Sequence, residues 1–101
     1  MYNTGDVVLA GVPFVDDAQI KRRPALVLFE EYNNVIIAGI TSNLRMDGIK
    51  LTKEDGAVKD CVIKLNYIFT IDEDAVDRFL FHLNAKKKKL VYDKLLEKLN
   101  F

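Results

Sequence analysis

Short apolar runs separated by polar, turn-forming residues fill most of the chain, and a helical repeat closes it. Residues 6–10, led by Gly5, form a run that predicts a strand. Val12-Pro13-Phe14 breaks it, because proline cannot donate to a ladder. Residues 16–23 are polar and read as a loop. Residues 25–29 and 35–40 are uninterrupted apolar runs, which predict strands buried on both faces. Pro24 is expected to open the first of them. Glu30-Glu31-Tyr32-Asn33-Asn34 between them is hairpin-loop chemistry. After a second polar loop at 43–48, residues 49–52 alternate as an edge strand and 53–56 form a turn. Residues 58–65 and 67–71 predict two more strands, rich in β-branched and aromatic side chains. Residues 74–78 read as a short helical turn and 79–83 as a short strand; the rival is one helix over 73–83. Asn84 is a good N-cap. Beyond it Leu90, Val91, Leu95, Leu96 and Leu99 recur at helical spacing, predicting a helix over Ala85–Leu99. The fold class that follows is mainly β with a C-terminal α-helix: a small, curled barrel with a helical cover.

Bulk numbers narrow the function classes. A chain of 101 residues, half hydrophobic and 30% charged, fits one globular domain over 1–101. Fifteen basic side chains balance fifteen acidic ones, which argues against a bulk polyelectrolyte binder. The charge is nonetheless uneven: Asp72, Glu73, Asp74 and Asp77 form an acidic knot, and Lys86 to Lys89 a basic run. The single cysteine, Cys61, cannot form an internal disulfide, and its apolar neighbours suggest packing. No apolar run approaches the about 20 residues of a membrane span, and the N-terminus lacks a charged-then-apolar signal pattern. The expectation is a cytoplasmic protein with no membrane contact.

Two residues stand out chemically. Arg23 precedes Pro24, and proline restricts the preceding residue to extended geometry, so the backbone aiming Arg23 is stiff. Its guanidinium can hold two phosphate oxygens and stays charged at any relevant pH. Thr41 ends the third apolar run, with Ser42 and Asn43 adding donors; the bland alternative is a hydroxyl that satisfies local backbone. Lys64 and Asn66 alternate on a later strand and are expected to share a side. His82, the only histidine, has no Cys or second His nearby, so it predicts no metal site and more often would be structural. Asp16, Asp17 and His82 are the candidate general bases. No Gly-rich phosphate loop, nucleophile elbow or zinc-protease pattern is present.

Gly5-Asp6-Val7, Arg23-Pro24-Ala25-Leu26-Val27-Leu28, Ile40-Thr41-Ser42 and Thr70-Ile71-Asp72, in this order and spacing, resemble the MazF/PemK (Kid) toxin endoribonucleases of toxin–antitoxin modules over nearly the whole chain. The resemblance implies a seven-stranded, SH3-like barrel with a C-terminal helix, working as a homodimer. It implies sequence-selective cleavage of single-stranded RNA without a metal or other cofactor, leaving 2′,3′-cyclic phosphate and 5′-hydroxyl ends. It also implies a cognate antitoxin with an acidic, disordered tail. Arg23 and Thr41 take the places of the catalytic pair, and Gln19, Lys21, Ser42, Asn43, Lys64 and Asn66 those of RNA contacts. Asn66 departs from the aspartate of the Kid branch; an amide cannot transfer a proton, so that branch's acid–base role is absent there. Tyr67 and Phe69 also stand where Gln and Arg are common, and Ala18-Gln19-Ile20-Lys21 replaces a Gly-rich, Glu-containing loop. The competing class is a binding module on the same barrel, as in the related CcdB toxins, which act by binding DNA gyrase.

Overall fold

The computed structural model describes residues 1–13 and 20–100. Their strands are β1 (Asp6–Pro13), β2 (Ile20–Glu31), β3 (Asn34–Thr41), β4 (Ile49–Leu51), β5 (Cys61–Asp72) and β6 (Val76–His82), followed by helix α1 (Ala85–Leu99). Six strands, where the resemblance implies seven, form one antiparallel sheet in the order β4-β5-β3-β2-β1-β6.

The sheet has two apolar faces because its central strands carry apolar residues at consecutive positions. Val7, Leu26, Ala38, Ile40 and Ile63 point to one core, which Leu83 and Val91 of the C-terminal segment help to cover. Their neighbours Val8, Val12, Ala25, Val27, Val35 and Ile37 point to the other, where Ile71, Phe69 and Val76 pack. Strand alternation thus sorts one sequence run into two cores.

Local chemistry sets the joints. β2 and β3 are linked by Tyr32 and Asn33, with φ of 51° and 66°, the double left-handed pair that a tight two-residue hairpin demands. A short 3₁₀ helix, Lys53–Asp55, is capped by Gly56 at φ 110°. A side chain there would meet Phe81 Cδ2 at 2.8 Å, so the glycine lets this loop lie on the Phe81 ring. At the N-terminus Asp6 is buried and its Oδ1 meets His82 Nδ1 at 2.7 Å. Lys88 Nζ lies 3.0 Å from His82 Nε2, and the three side chains tie β1, β6 and α1 together. His82 is therefore structural.

Several expectations change. β2 begins at Ile20, so Arg23 lies inside a strand opposite Ala10 rather than in a loop, and Pro24 sits mid-strand opposite Leu9. Pairing of β2 with β3 ends at Ala25, so the missing N–H of Pro24 falls on an unpaired side. β1 likewise runs through Pro13 because β2 extends alongside it. The two strands expected over 58–65 and 67–71 are one strand from Cys61 to Asp72. Its register against β3 jumps from Ala38–Ile68 to Gly39–Lys64, which leaves Leu65, Asn66 and Tyr67 in a wide bulge. The helical turn ends at Ala75, and β6 starts at Val76, three residues before the predicted strand; β1 supplies the pairing that local propensity does not. The rival helix over 73–83 does not form.

Helix α1 has its predicted bounds, with Asn84 Oδ1 accepting from Lys87 N at 2.8 Å. Asn84→Ala is expected to cost about 1 kcal/mol. Thermal denaturation followed by circular dichroism should show Tm lowered by about 4–8 °C; an unchanged Tm would show that the cap contributes nothing.

Candidate active site

Two strand ends and a loop enclose the site. Arg23 comes from β2, and Thr41 with Ser42 from the end of β3. The β2–β3 register pairs Ala25 with Gly39; continued two residues further, it sets Arg23 opposite Thr41. Both residues line one pocket of about 490 Å³, together with Ser42. The loop Gly56-Ala57-Val58-Lys59 also lines it, as do Cys61, Leu80 and Phe81. No carboxylate lines the pocket among the described residues, so its formal charge comes from Arg23 and Lys59.

Arg23 is half-buried, with Nε buried, which weakens solvent screening of its charge. Arg22, next to it, points away and pairs with Asp77 at 3.0 Å. Thr41 is buried, and its Oγ1 accepts from Asn43 N at 3.1 Å. The local-backbone role weighed from sequence is therefore real. It occupies a lone pair of the hydroxyl and leaves the proton to be donated into the pocket. Asn43 in turn accepts from Arg45 N through Oδ1 at 3.1 Å, so its side chain shapes the loop that carries Ser42.

The remaining sequence candidates lie elsewhere. Lys64 donates through Nζ to the carbonyl of Asp47 and stands 5.6 Å from the centre of the Tyr67 ring. Asn66 is exposed in the β5 bulge, so the two do not share a plain strand face as expected. Lys21 is exposed on β2 opposite Val12, two residues before Arg23 and thus on the same side of the strand. None of these three lines the pocket. Gln19, Asp16 and Asp17 lie outside the described residues.

Sequence reasoning missed other lining residues of the pocket: Val58, Lys59, Leu80 and Phe81. It read 58 as strand and 79–83 as plain alternation, and nothing local marked these residues. Cys61 also belongs to the lining. Burial raises its pKa, and the charges of Asp60 and Asp55 raise it further, so the thiol stays protonated at neutral pH and is a poor nucleophile. Among the described residues no three His, Cys, Asp or Glu side chains come together as metal ligands would.

Comparison with known proteins places the fold. The Mycobacterium tuberculosis toxin MazF-mt6 superposes with a TM-score of 0.71 at 21% identity, covering 87% of this chain and 89% of that one. A mycobacterial endoribonuclease in complex with its cognate antitoxin superposes with a TM-score of 0.72 at 13% identity, covering 97% and 92%. At such identities the likeness is one of fold. No curated protein matches by sequence. The profile of PemK-like, MazF-like toxins of type II toxin–antitoxin systems matches residues 3–99. The chain belongs to that family.

Proposed function

We propose that this toxin is an endoribonuclease that cuts single-stranded RNA at the Arg23–Thr41 pocket. The observation that carries this reading is the meeting of Arg23, Thr41 and Ser42 at one pocket. The ribose 2′-hydroxyl gives up its proton to water as its oxygen attacks the adjacent phosphorus; the bond from phosphorus to the 5′-oxygen breaks, that oxygen takes a proton from water, and a 2′,3′-cyclic phosphate and a 5′-hydroxyl form. Negative charge gathers on the phosphoryl oxygens. Arg23 holds two of them and Thr41 donates its hydroxyl proton to one, which lowers the barrier because both donors are already in place. Arg23 does not serve as the base, since a guanidinium is a hydrogen-bond donor with no acceptor. His82 does not either, being engaged with Asp6 and Lys88 outside the pocket.

The working unit in this reading is a homodimer. A second groove, of about 510 Å³, lies between α1 and strands β2, β3 and β5, and its lining is mostly apolar. Around it Phe29, Ile68, Tyr92 and Leu99 are each about half or more exposed. A second copy related by a two-fold axis brings the same apolar patch to meet it. The partner that silences the enzyme is an antitoxin whose acidic, disordered tail takes the place of RNA phosphates beside Arg23 and Lys59. Toxin, antitoxin and messenger RNA then share the cytoplasm.

Purified protein should cut a defined long RNA in excess EDTA and leave DNA of the same sequence intact, because only RNA has the attacking hydroxyl. Arg23→Ala should slow single-turnover cleavage by about 100-fold or more. Thr41→Val, which keeps the shape, should slow it by about tenfold. Cleavage by Arg23→Ala at the wild-type rate would overturn the assignment. No cleavage of any RNA by a wild-type protein that still arrests growth would instead favour a binding toxin of the gyrase-directed kind.

Light scattering at micromolar concentration should give about twice the 11.5 kDa chain mass. Ile68→Glu should shift it to the monomer, and a dimer indifferent to that change would place the seam elsewhere.

An acidic peptide copied from the adjacent antitoxin's tail should compete with RNA for binding, and do so less well at high salt. Simultaneous binding of peptide and RNA would refute competition at the pocket.

A further inference from the structure

One contact in the joint between β1, β6 and α1 exists only while His82 is neutral. The Asp6 carboxylate can only accept, so the 2.7 Å contact puts a proton on His82 Nδ1, donated to Oδ1. In the neutral ring Nε2 is then a bare acceptor. Lys88 Nζ, an ammonium with donors and no acceptor, donates to it at 3.0 Å. A further proton on the ring goes to Nε2. Two cationic donors then face each other, and the contact is lost. The ring is open to such a proton: the His82 side chain is 40% exposed, against 9% for Asp6. Among the described residues, the charged groups bonded to the ring are Asp6 from β1 and Lys88 from α1. Its chain neighbours Leu80, Phe81, Leu83 and Asn84 carry no charge.

Helix α1 depends on this contact because it is thinly seated. Val91 is its one buried residue, while Leu90, Tyr92, Leu96 and Leu99 are each more than a third exposed. Lys87 ties one side of the first turn, donating to the Lys50 carbonyl at 2.6 Å. Lys88 ties the other. Its stem runs over Gly5, where even a Cβ would come within 2.6 Å of Lys88 Cδ and 3.1 Å of His82 Cε1. Stem, ring and backbone are packed together there, and the ammonium is fixed at the ring. The backbone bond from Leu83 N to Gly5 O, at 2.9 Å, lies before the helix begins and cannot hold its body.

We propose that His82 is a proton-operated latch on α1: neutral, it holds Lys88 and seats the helix; protonated, it keeps Asp6 and releases Lys88. Asp6 stays beside the ring in both states, so its attraction for a charged ring favours neither. The Lys88 ammonium is at the ring only when the helix is seated. Seating therefore disfavours the proton, and by linkage the proton disfavours seating. Seating is complete at alkaline pH and weakens as pH falls through the range in which histidines ordinarily gain a proton. What loosens is the apolar groove that Lys88 lines together with Gly5, Leu83, Val91 and Tyr92. The latch operates within one chain, whatever covers that groove.

Amide hydrogen exchange of the full chain, followed by NMR at about pH 8 and about pH 5.5, brackets the ordinary histidine range and tests the latch. Protection factors of the Val91 and Leu95 amides should fall by about threefold to tenfold at the lower pH. Those of Val27 and Ile37 in the sheet should hold. At the higher pH, nitrogen shifts of the His82 ring should show a proton on Nδ1 and none on Nε2. Lys88→Met keeps the stem and removes the charge; its helix should be less protected at the higher pH and equally protected at both. His82→Asn, checked for folding by circular dichroism, should lose the pH dependence too. A proton on Nε2 at the higher pH, wild-type helix protection that ignores pH, or a pH dependence that survives in Lys88→Met would each overturn the latch.

Discussion

The register between β2 and β3 is the constraint on which the site depends. Both strands are apolar at nearly every position, so hydrophobic alternation alone specifies their alignment weakly. The two-residue turn at Tyr32 and Asn33 supplies what the pattern lacks. With both residues in left-handed conformation, Glu31 must face Asn34, and pairing proceeds from there. A single bulge at Leu28 then shifts the register by one, so that Val27 faces Ile37 and Ala25 faces Gly39. Without that bulge the two strand ends would be offset by one residue, and Arg23 and Thr41 would point to opposite faces.

The rest of the structure holds this alignment. β1 pairs with β2 over seven residues and carries Arg23 as a strand residue, with less freedom than a loop arginine has. The buried Asp6 carboxylate, hydrogen-bonded to Asn3 N and to His82, fixes the start of β1 and, through Lys88, the root of α1. Gly5, at φ 96°, permits that junction: a side chain there would meet Lys88 Cδ at 2.6 Å. Polar bonds at the sheet's end and apolar cores on its two faces thus serve the same geometry.

Departures from regular strand geometry recur where function is proposed. The bulge in β6 turns Leu80 and Phe81 toward the pocket, and the wide bulge in β5 withdraws Lys64 and Asn66 from it. Among the described residues, Arg23 and Lys59 are the charged side chains that line the pocket, and most of the other lining residues are apolar.

Sequence alone determined the elements whose signals are local. Helix α1 was legible to the residue, because an Asn cap and a 3.6-residue apolar repeat act within the segment itself. The doubly buried central strands were legible too, and the ordered motif singled out Arg23 and Thr41, which the fold brings to one pocket. Tertiary structure alone decided where strands end, since a strand extends wherever a partner supplies hydrogen bonds. Hence Ile20 to Arg23 joined β2, Val76 to Arg78 joined β6, and two predicted strands fused into β5. It also decided the rest of the pocket's lining. Val58, Leu80 and Phe81 share a pocket with Arg23 only because the sheet curls and a bulge shifts pairing by one residue. Bulges depend on the balance between two strands, and neither strand carries that information by itself.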